Sequence, residues 1–323
     1  MRTFARILGV VLGSLALSIL STAPVSAFDG PADGKYKVVG TLGVTNVEVM
    51  VLDLKSEGGA LKANLIKAAR FFGPITVEKA EKTADGIKLT LKIGDQETVF
   101  VAQGDDKAGF RGTLKLQGAA APTTLAKTDS DELAQPQPGP LMTKLRTAMQ
   151  AAGQSEEKLV EGLRPLLKDP EFAGKPDLST VYRLVLQYAD KAKLEEAEVK
   201  GLVEDWVKLG SAYGADYGRE IRMMAAQALS NKPAVAKLAL ELAKDVDQAM
   251  TKDATAEARE QVLEMLATAA KLAKDEGVEK SAQTRLAAIS KEVDEEYHKT
   301  VPPFKPEPFA GREDKESNRV VLL

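Results

Sequence analysis

The side chains able to carry acid–base or metal chemistry are few. His298 is the only histidine in 323 residues, and there is no cysteine. His298 follows Asp294, Glu295 and Glu296. Its chemical reading is a metal ligand or a general base. Its plain reading is a solvated residue in the last turn of a helix, where a cation suits the dipole. One histidine without cysteine does not build the usual zinc set. Glu292 and Glu296 share a helix face, as an acid/base pair or as ordinary solvated surface, whereas Asp245 and Asp247 are two apart and do not face each other. A serine nucleophile needs a base beside it, and the sequence has no G-x-S-x-G and no histidine other than His298. It also has no P-loop, no G-x-G-x-x-G after a strand and no acidic calcium-binding loop. The missing cysteine excludes disulfides, thiolate catalysis, thiolate metal sites and a lipid-modified N-terminal cysteine. The chain therefore reads as non-catalytic, with no cofactor and no metal centre. Tyr182, Tyr188 and Trp206 stand at core spacing, which favours packing over a ligand cage.

The elements that carry these residues are mostly helices. From Pro233 to Met250 apolar side chains fall at Val235, Leu238, Ala239, Leu242, Ala243, Val246, Ala249 and Met250, the repeat of one helix face. Pro233 suits a first turn, and Asn231 is the expected cap. Ala258, Val262, Met265, Leu266, Ala269 and Ala273 form a second face, with Gly277 as its expected left-handed stop. Val278, Ala282, Leu286, Ile289 and Val293 form a third. Upstream, Leu178, Val181, Tyr182, Val185, Tyr188 and Ala189 make another, as do Val199, Leu202, Val203 and Trp206. Helices also fit Leu141 to Ala152 and Glu156 to Lys168, and Pro165 should weaken or end the latter.

Helix starts near residues 178, 194, 215, 233, 255 and 278 leave alternate starts about 37 to 45 residues apart, the spacing of stacked helix pairs. Trp206, Leu209, Gly210 and Tyr213 match W-x2-L-G-x2-Y, the opening of a tetratricopeptide repeat, and Pro233 falls near its closing proline. No second copy follows, and Gly214 and Gly218 crowd the expected turn. A genuine repeat and an irregular helix-pair array with a local match both remain open. In either, each pair needs neighbours to bury its apolar face.

Between Gly34 and Lys127 the period changes to two. Ile87, Leu89, Leu91 and Ile93 alternate with Lys88, Thr90 and Lys92, and Phe110, Gly112, Leu114 and Leu116 alternate with Arg111, Thr113 and Lys115. Val47 to Leu54 is apolar on both faces, which predicts a central strand or a bulge. Further strands are expected at Lys35 to Thr41, Ala60 to Lys67, Ile75 to Lys82, Thr98 to Ala102 and Pro122 to Lys127. The turns between them are short, such as Gly58-Gly59, Gly73-Pro74, Asp85-Gly86 and Gly94-Asp95. Strands so close pair antiparallel, because a parallel crossover needs a dozen or more residues. The expected fold class is thus α+β multidomain: an antiparallel β-meander, as a small barrel or a curled sheet, followed by an all-α helix-pair (TPR-like) array. A barrel of this size either holds a small ligand or is filled by side chains.

Residues 1–27 read as a secretory signal peptide. Arg2 and Arg6 precede the apolar run Ile7 to Leu20, and Val25-Ser26-Ala27 places cleavage between Ala27 and Phe28. The run is short for a membrane span; an uncleaved anchor is the alternative. No later segment has the length of a transmembrane helix. The expected organisation is a leader at 1–27, an antiparallel β domain at 28–127, a Pro-rich linker at 128–140, a helical domain at 141–300 and a Pro-rich extended tail at 301–323. Net charge is −3, and −5 once Arg2 and Arg6 leave with the leader. That mild acidity, without a basic run, argues against a nucleic-acid partner.

The tail carries a resemblance. Tyr297, Val301-Pro302-Pro303-Phe304-Lys305-Pro306-Glu307, Phe309 to Arg312 and Ser317-Asn318-Arg319-Val320-Val321-Leu322 resemble the passage that leads into the redox domain of secreted bacterial thioredoxin-like proteins. The helices from about Tyr213 onward are similar at lower specificity. The resemblance implies a Cys-x-x-Cys domain next along the chain, but the sequence stops at Leu323 before any such motif, so no redox residue carries over. The leading expectation is a secreted or periplasmic, non-catalytic binding or scaffold protein with a protein or cell-envelope partner. One rival is the recognition arm of a thiol–disulfide oxidoreductase whose catalytic domain lies elsewhere. The other is small-ligand binding by the β domain.

Overall fold

The computed structural model describes residues 30–107, 109–116, 119–250 and 254–300. The expected leader with its expected Ala27–Phe28 cleavage site, and residues 301–323, which carry most of the resemblance, lie outside the described residues.

Eight antiparallel strands follow the period-two segment: β1 (Gly34–Leu42), β2 (Thr45–Glu57), β3 (Ala60–Ala68), β4 (Ile75–Lys82), β5 (Gly86–Ile93), β6 (Gln96–Asp105), β7 (Gly109–Leu116) and β8 (Ala119–Lys127). Their order in the sheet is β3-β2-β1-β8-β7-β6-β5-β4. β8 returns to pair with β1, Leu125 opposite Val38, so the meander's first and last strands are joined. The seam lies between β3 and β4, which are neighbours without a shared ladder. The result is a nearly closed barrel.

Alternation explains its interior. Ile87, Leu89, Leu91, Phe110, Leu114 and Leu116 turn inward and are fully or almost fully buried. Tyr36, Phe100 and Phe110 fill the space between them, with the Tyr36 and Phe110 rings edge to face at 6.3 Å. The Tyr36 hydroxyl donates to the Ala32 carbonyl at 2.8 Å and also meets the Asp106 carboxylate. The two-faced apolar strand β2 is central, between β1 and β3, and it is also bulged. Its register against β1 slips at Val38/Val39, and both Val49 and Met50 then enter the barrel core.

The segment after β8 is held against the barrel rather than free of it. Thr128 N–H donates to Lys35 O at 2.9 Å, Asp131 pairs with Lys35 at 2.7 Å, and Ala134 N–H donates to Glu48. The short strand β9 (Gln137–Pro138) pairs with Thr45 and Asn46 of β2.

Among the described residues eight α-helices follow: α1 (Pro140–Ala152), α2 (Glu156–Leu167), α3 (Leu178–Gln187), α4 (Glu196–Ser211), α5 (Ala215–Leu229), α6 (Ala236–Ala249), α7 (Ala256–Ala273) and α8 (Glu276–Thr300). Each packs on the next, and α3 also touches α5 while α5 touches α7. Their buried faces merge into one core running from Leu141 to Ile289. Ser155 and Thr255 cap α2 and α7 by accepting from Lys158 N–H and Ala258 N–H.

Two local expectations are corrected. Gly277 is not the stop of α7: Lys274 takes the left-handed position, with φ 59°, and Gly277 lies in the first turn of α8. Asp275 accepts from Val278 N–H at 3.1 Å, so the next helix starts before the glycine is reached. Asn231 is not the cap of the Pro233 helix, because Pro233–Val235 forms a 3-10 turn after Lys232 and α6 begins at Ala236. Pro165 lies in the last turn of α2, which ends two residues later at Leu167.

Candidate functional site

Hollows open along the helical array and between the array and the barrel. Between α2, α3 and α4 a groove of about 390 Å3 is lined by Arg164, Lys168, Tyr182, Glu198, Leu202 and Asp205. Between α6, α7 and α8 a second, of about 400 Å3, is lined by Asp247, Arg259, Val262, Leu263, Ile289 and Glu292, among others. The two share a plan: an apolar floor and an ion-paired rim. Arg164 pairs with Glu198 at the first. At the second, Arg259 meets Glu292 at 2.9 Å and Arg285 holds Asp247 with two bonds of 2.7 Å.

The residues of the W-x2-L-G-x2-Y match sit behind the first groove and beside the barrel. Trp206 is fully buried and stacks on Tyr182, ring centroids 6.1 Å apart and planes 8° from parallel. Leu209 is buried in the same core. Gly210 lies where α4 crosses α5: a Cβ there would stand 2.5 Å from Ile221 Cγ1. Tyr213 follows the end of α4, in the turn, and its hydroxyl donates to Gly174 O at 3.2 Å. Its carbonyl accepts from Thr113 of β7 at 2.7 Å, and the Arg111 guanidinium lies 5.9 Å from its ring centre. The match therefore joins the core of the array to the outside of the barrel.

A third hollow, of about 340 Å3, lies between β6, β7 and the α4–α5 turn; another is a cleft between the two modules, of about 210 Å3. The barrel contributes the β1–β2 turn (Leu42, Gly43) and β8 (Ala120, Pro122); the array contributes Ser179, Thr180 and Arg183 of α3 and Tyr217, Glu220 and Met224 of α5. The modules are fixed around it. Val44, at the tip of the β1–β2 turn, is buried in the helical core, and α5 packs against β8.

The electrostatics of this junction are unusual. Tyr217 donates to Ser179 Oγ at 2.9 Å. Burial pushes the Tyr213 and Tyr217 phenols up to about 12. Burial also raises the Glu220 carboxyl above the usual carboxylate range, with no opposing partner. Asp177, just before α3, is raised for the same reason, and its Oδ1 accepts no hydrogen bond among the described residues.

The other acidic candidates are placed on the surface of the array. Glu292 is engaged by Arg259 and Asp247 by Arg285, while Asp245 is exposed. His298 lies in the last turn of α8. Among the described residues no three His, Cys, Asp or Glu side chains cluster as metal ligands, and no helix is long and apolar enough to cross a membrane.

Glu220, Arg183 and Ser179 carry no motif, and sequence reasoning passed over them. They meet only because β1, β8, α3 and α5 converge. Comparison with known protein families, with curated proteins and with solved structures found no match.

Proposed function

We propose that the chain is an exported, non-catalytic binding protein whose helical array receives an extended segment of a partner protein or envelope component. The observation that supports this reading is the pair of grooves on the array, nearly equal in size and built on one plan. An apolar floor takes side chains of a bound segment, and a charged rim selects its register. Stacked helix pairs offer such surfaces repeatedly along their length.

The test is selection of a random peptide library on the purified protein, followed by affinity measurement on groove variants. Leu202→Glu puts charge into the first groove and Ala288→Glu into the second; Ala288 is exposed and Leu202 is half-buried, so folding is retained. Selected peptides are expected to bind the parent protein and to lose at least tenfold in affinity on one of the two variants. Recovery of no binder, or of binders indifferent to both substitutions, refutes the reading. Export is tested by the intact mass of the protein from its own cells, which should correspond to a chain beginning at Phe28. A mass larger by a whole domain, with thiols that alkylate, would instead favour the recognition arm of a thiol–disulfide oxidoreductase, as the resemblance of the tail implies.

A further inference from the structure

The cleft walled by the β1–β2 turn, β8, α3 and α5 holds a cation and a carboxyl that are not bonded to each other. At the grooves Arg164, Arg259 and Arg285 each have a carboxylate. In the cleft Arg183 and Glu220 line the same space from adjacent helices, and among the described residues neither has a hydrogen bond or ion pair. Glu220 is half-buried, whereas Arg183 is exposed at the mouth. A carboxyl taken out of water without a partner is costly in its charged form. The protein leaves it so while packing Leu42, Ala120, Pro122 and Met224 around the same space. Hydroxyls stand beside the two charges. Ser179 accepts from Tyr217 and keeps its own proton to donate, and Thr180 adds a second hydroxyl one residue on.

The size of the space narrows the ligand. Sites for drug-sized molecules span roughly 300–1,000 Å3, so a cleft of about 210 Å3 suits a smaller molecule. We propose that the inter-module cleft binds a small zwitterion of the amino-acid class, its ammonium against Glu220 and its carboxylate against Arg183 and the hydroxyls of Ser179 and Thr180. The apolar residues take the carbon skeleton. The ligand ammonium supplies the charge Glu220 lacks, so binding drives ionisation of that carboxyl and releases a proton to solvent. The site is independent of the grooves and of what they bind. Because both modules line it, occupancy holds them together.

The experiment is thermal unfolding of the full chain with glycine, β-alanine and γ-aminobutyrate, a series that varies only the separation of the charges. Acetate and methylamine, each with one charge, are the controls. At least one zwitterion should raise Tm by a few degrees at about 100 times its Kd, and the two controls should not. Glu220→Gln keeps the shape without the charge, and Arg183→Met changes an exposed residue, so both variants fold; each should abolish the shift. Calorimetry of the best zwitterion in two buffers of different ionisation enthalpy should show proton release for the parent protein at mildly acidic pH. No shift with any of the three zwitterions overturns the proposal. So does a shift that persists in either variant, or an equal shift from acetate or methylamine.

Discussion

Replacing Gly210 by alanine probes the tightest helix crossing in the array. The added Cβ would stand 2.5 Å from Ile221 Cγ1, 3.1 Å from Ile221 Cβ and 3.4 Å from Gly218 Cα. Ile221 is fully buried and β-branched, so it has no free rotamer to turn into. Overpacking of this kind costs about 1–3 kcal/mol. The helix-propensity gain of alanine over glycine is at most about 1 kcal/mol and is smaller at a helix end. Gly210 is the penultimate residue of α4, so the net loss should be about 1–2 kcal/mol. Gly201, in the interior of the same helix, is the control: a Cβ there meets nothing within 4 Å. Gly201→Ala should therefore stabilise by roughly 0.5–1 kcal/mol. The two sites are about 13 Å apart along the helix, far enough for the double variant to be additive within ~0.5 kcal/mol. The assay is urea unfolding followed by tryptophan fluorescence. Trp206 is the only tryptophan and lies in α4 itself, so the signal reports on the helical module alone. If Gly210→Ala is as stable as the parent while Gly201→Ala gains stability, the close crossing does not govern the packing of α4 on α5.

Three further predictions follow from the packing and the charges. Phe100→Ala empties the centre of the barrel and should cost about 3–5 kcal/mol, read as faster hydrogen exchange of β6 and β7 amides; unchanged exchange would mean that Phe100 does not fill the interior. Glu220 is raised, so the folded protein keeps this proton to higher pH than the unfolded chain does. Its contribution to stability is complete below the ordinary carboxylate pKa and is lost as pH rises through the raised one. Relative to the parent, Glu220→Gln should become progressively more stable as pH rises across that window, and a pH-independent difference in urea midpoint would contradict the assignment. Arg285→Ala removes the two-bond clamp between α8 and α6. With the arginine half exposed, it should cost about 0.5–1 kcal/mol, less at high salt, measured by exchange of α8 amides; an effect that grows with salt would argue against an ionic clamp.

Most of the elements were legible in the sequence because their signal is local. Alternation over Ile87 to Ile93 and Phe110 to Leu116 marks strands without reference to any partner. The 3.6-residue repeat marks α6, α7 and α8 in the same way, and short turns oblige neighbouring strands to run antiparallel. The tertiary structure decided what depends on distant residues. The barrel closes through β1 and β8, with Tyr36 opposite Lys127, and opens between β3 and β4, although the chain connects β3 to β4 directly. Lys274 rather than Gly277 ends α7, because Asp275 starts the next helix early and local propensity yields to that cap. The acidic and proline-rich segment after β8 is pinned to Lys35, Glu48 and Asn46, partners about 80–100 residues earlier in the chain. The inter-module cleft is the extreme case. Leu42, Pro122, Arg183 and Glu220 have no shared pattern in the sequence, and their convergence is set by where a β-turn and two helices dock.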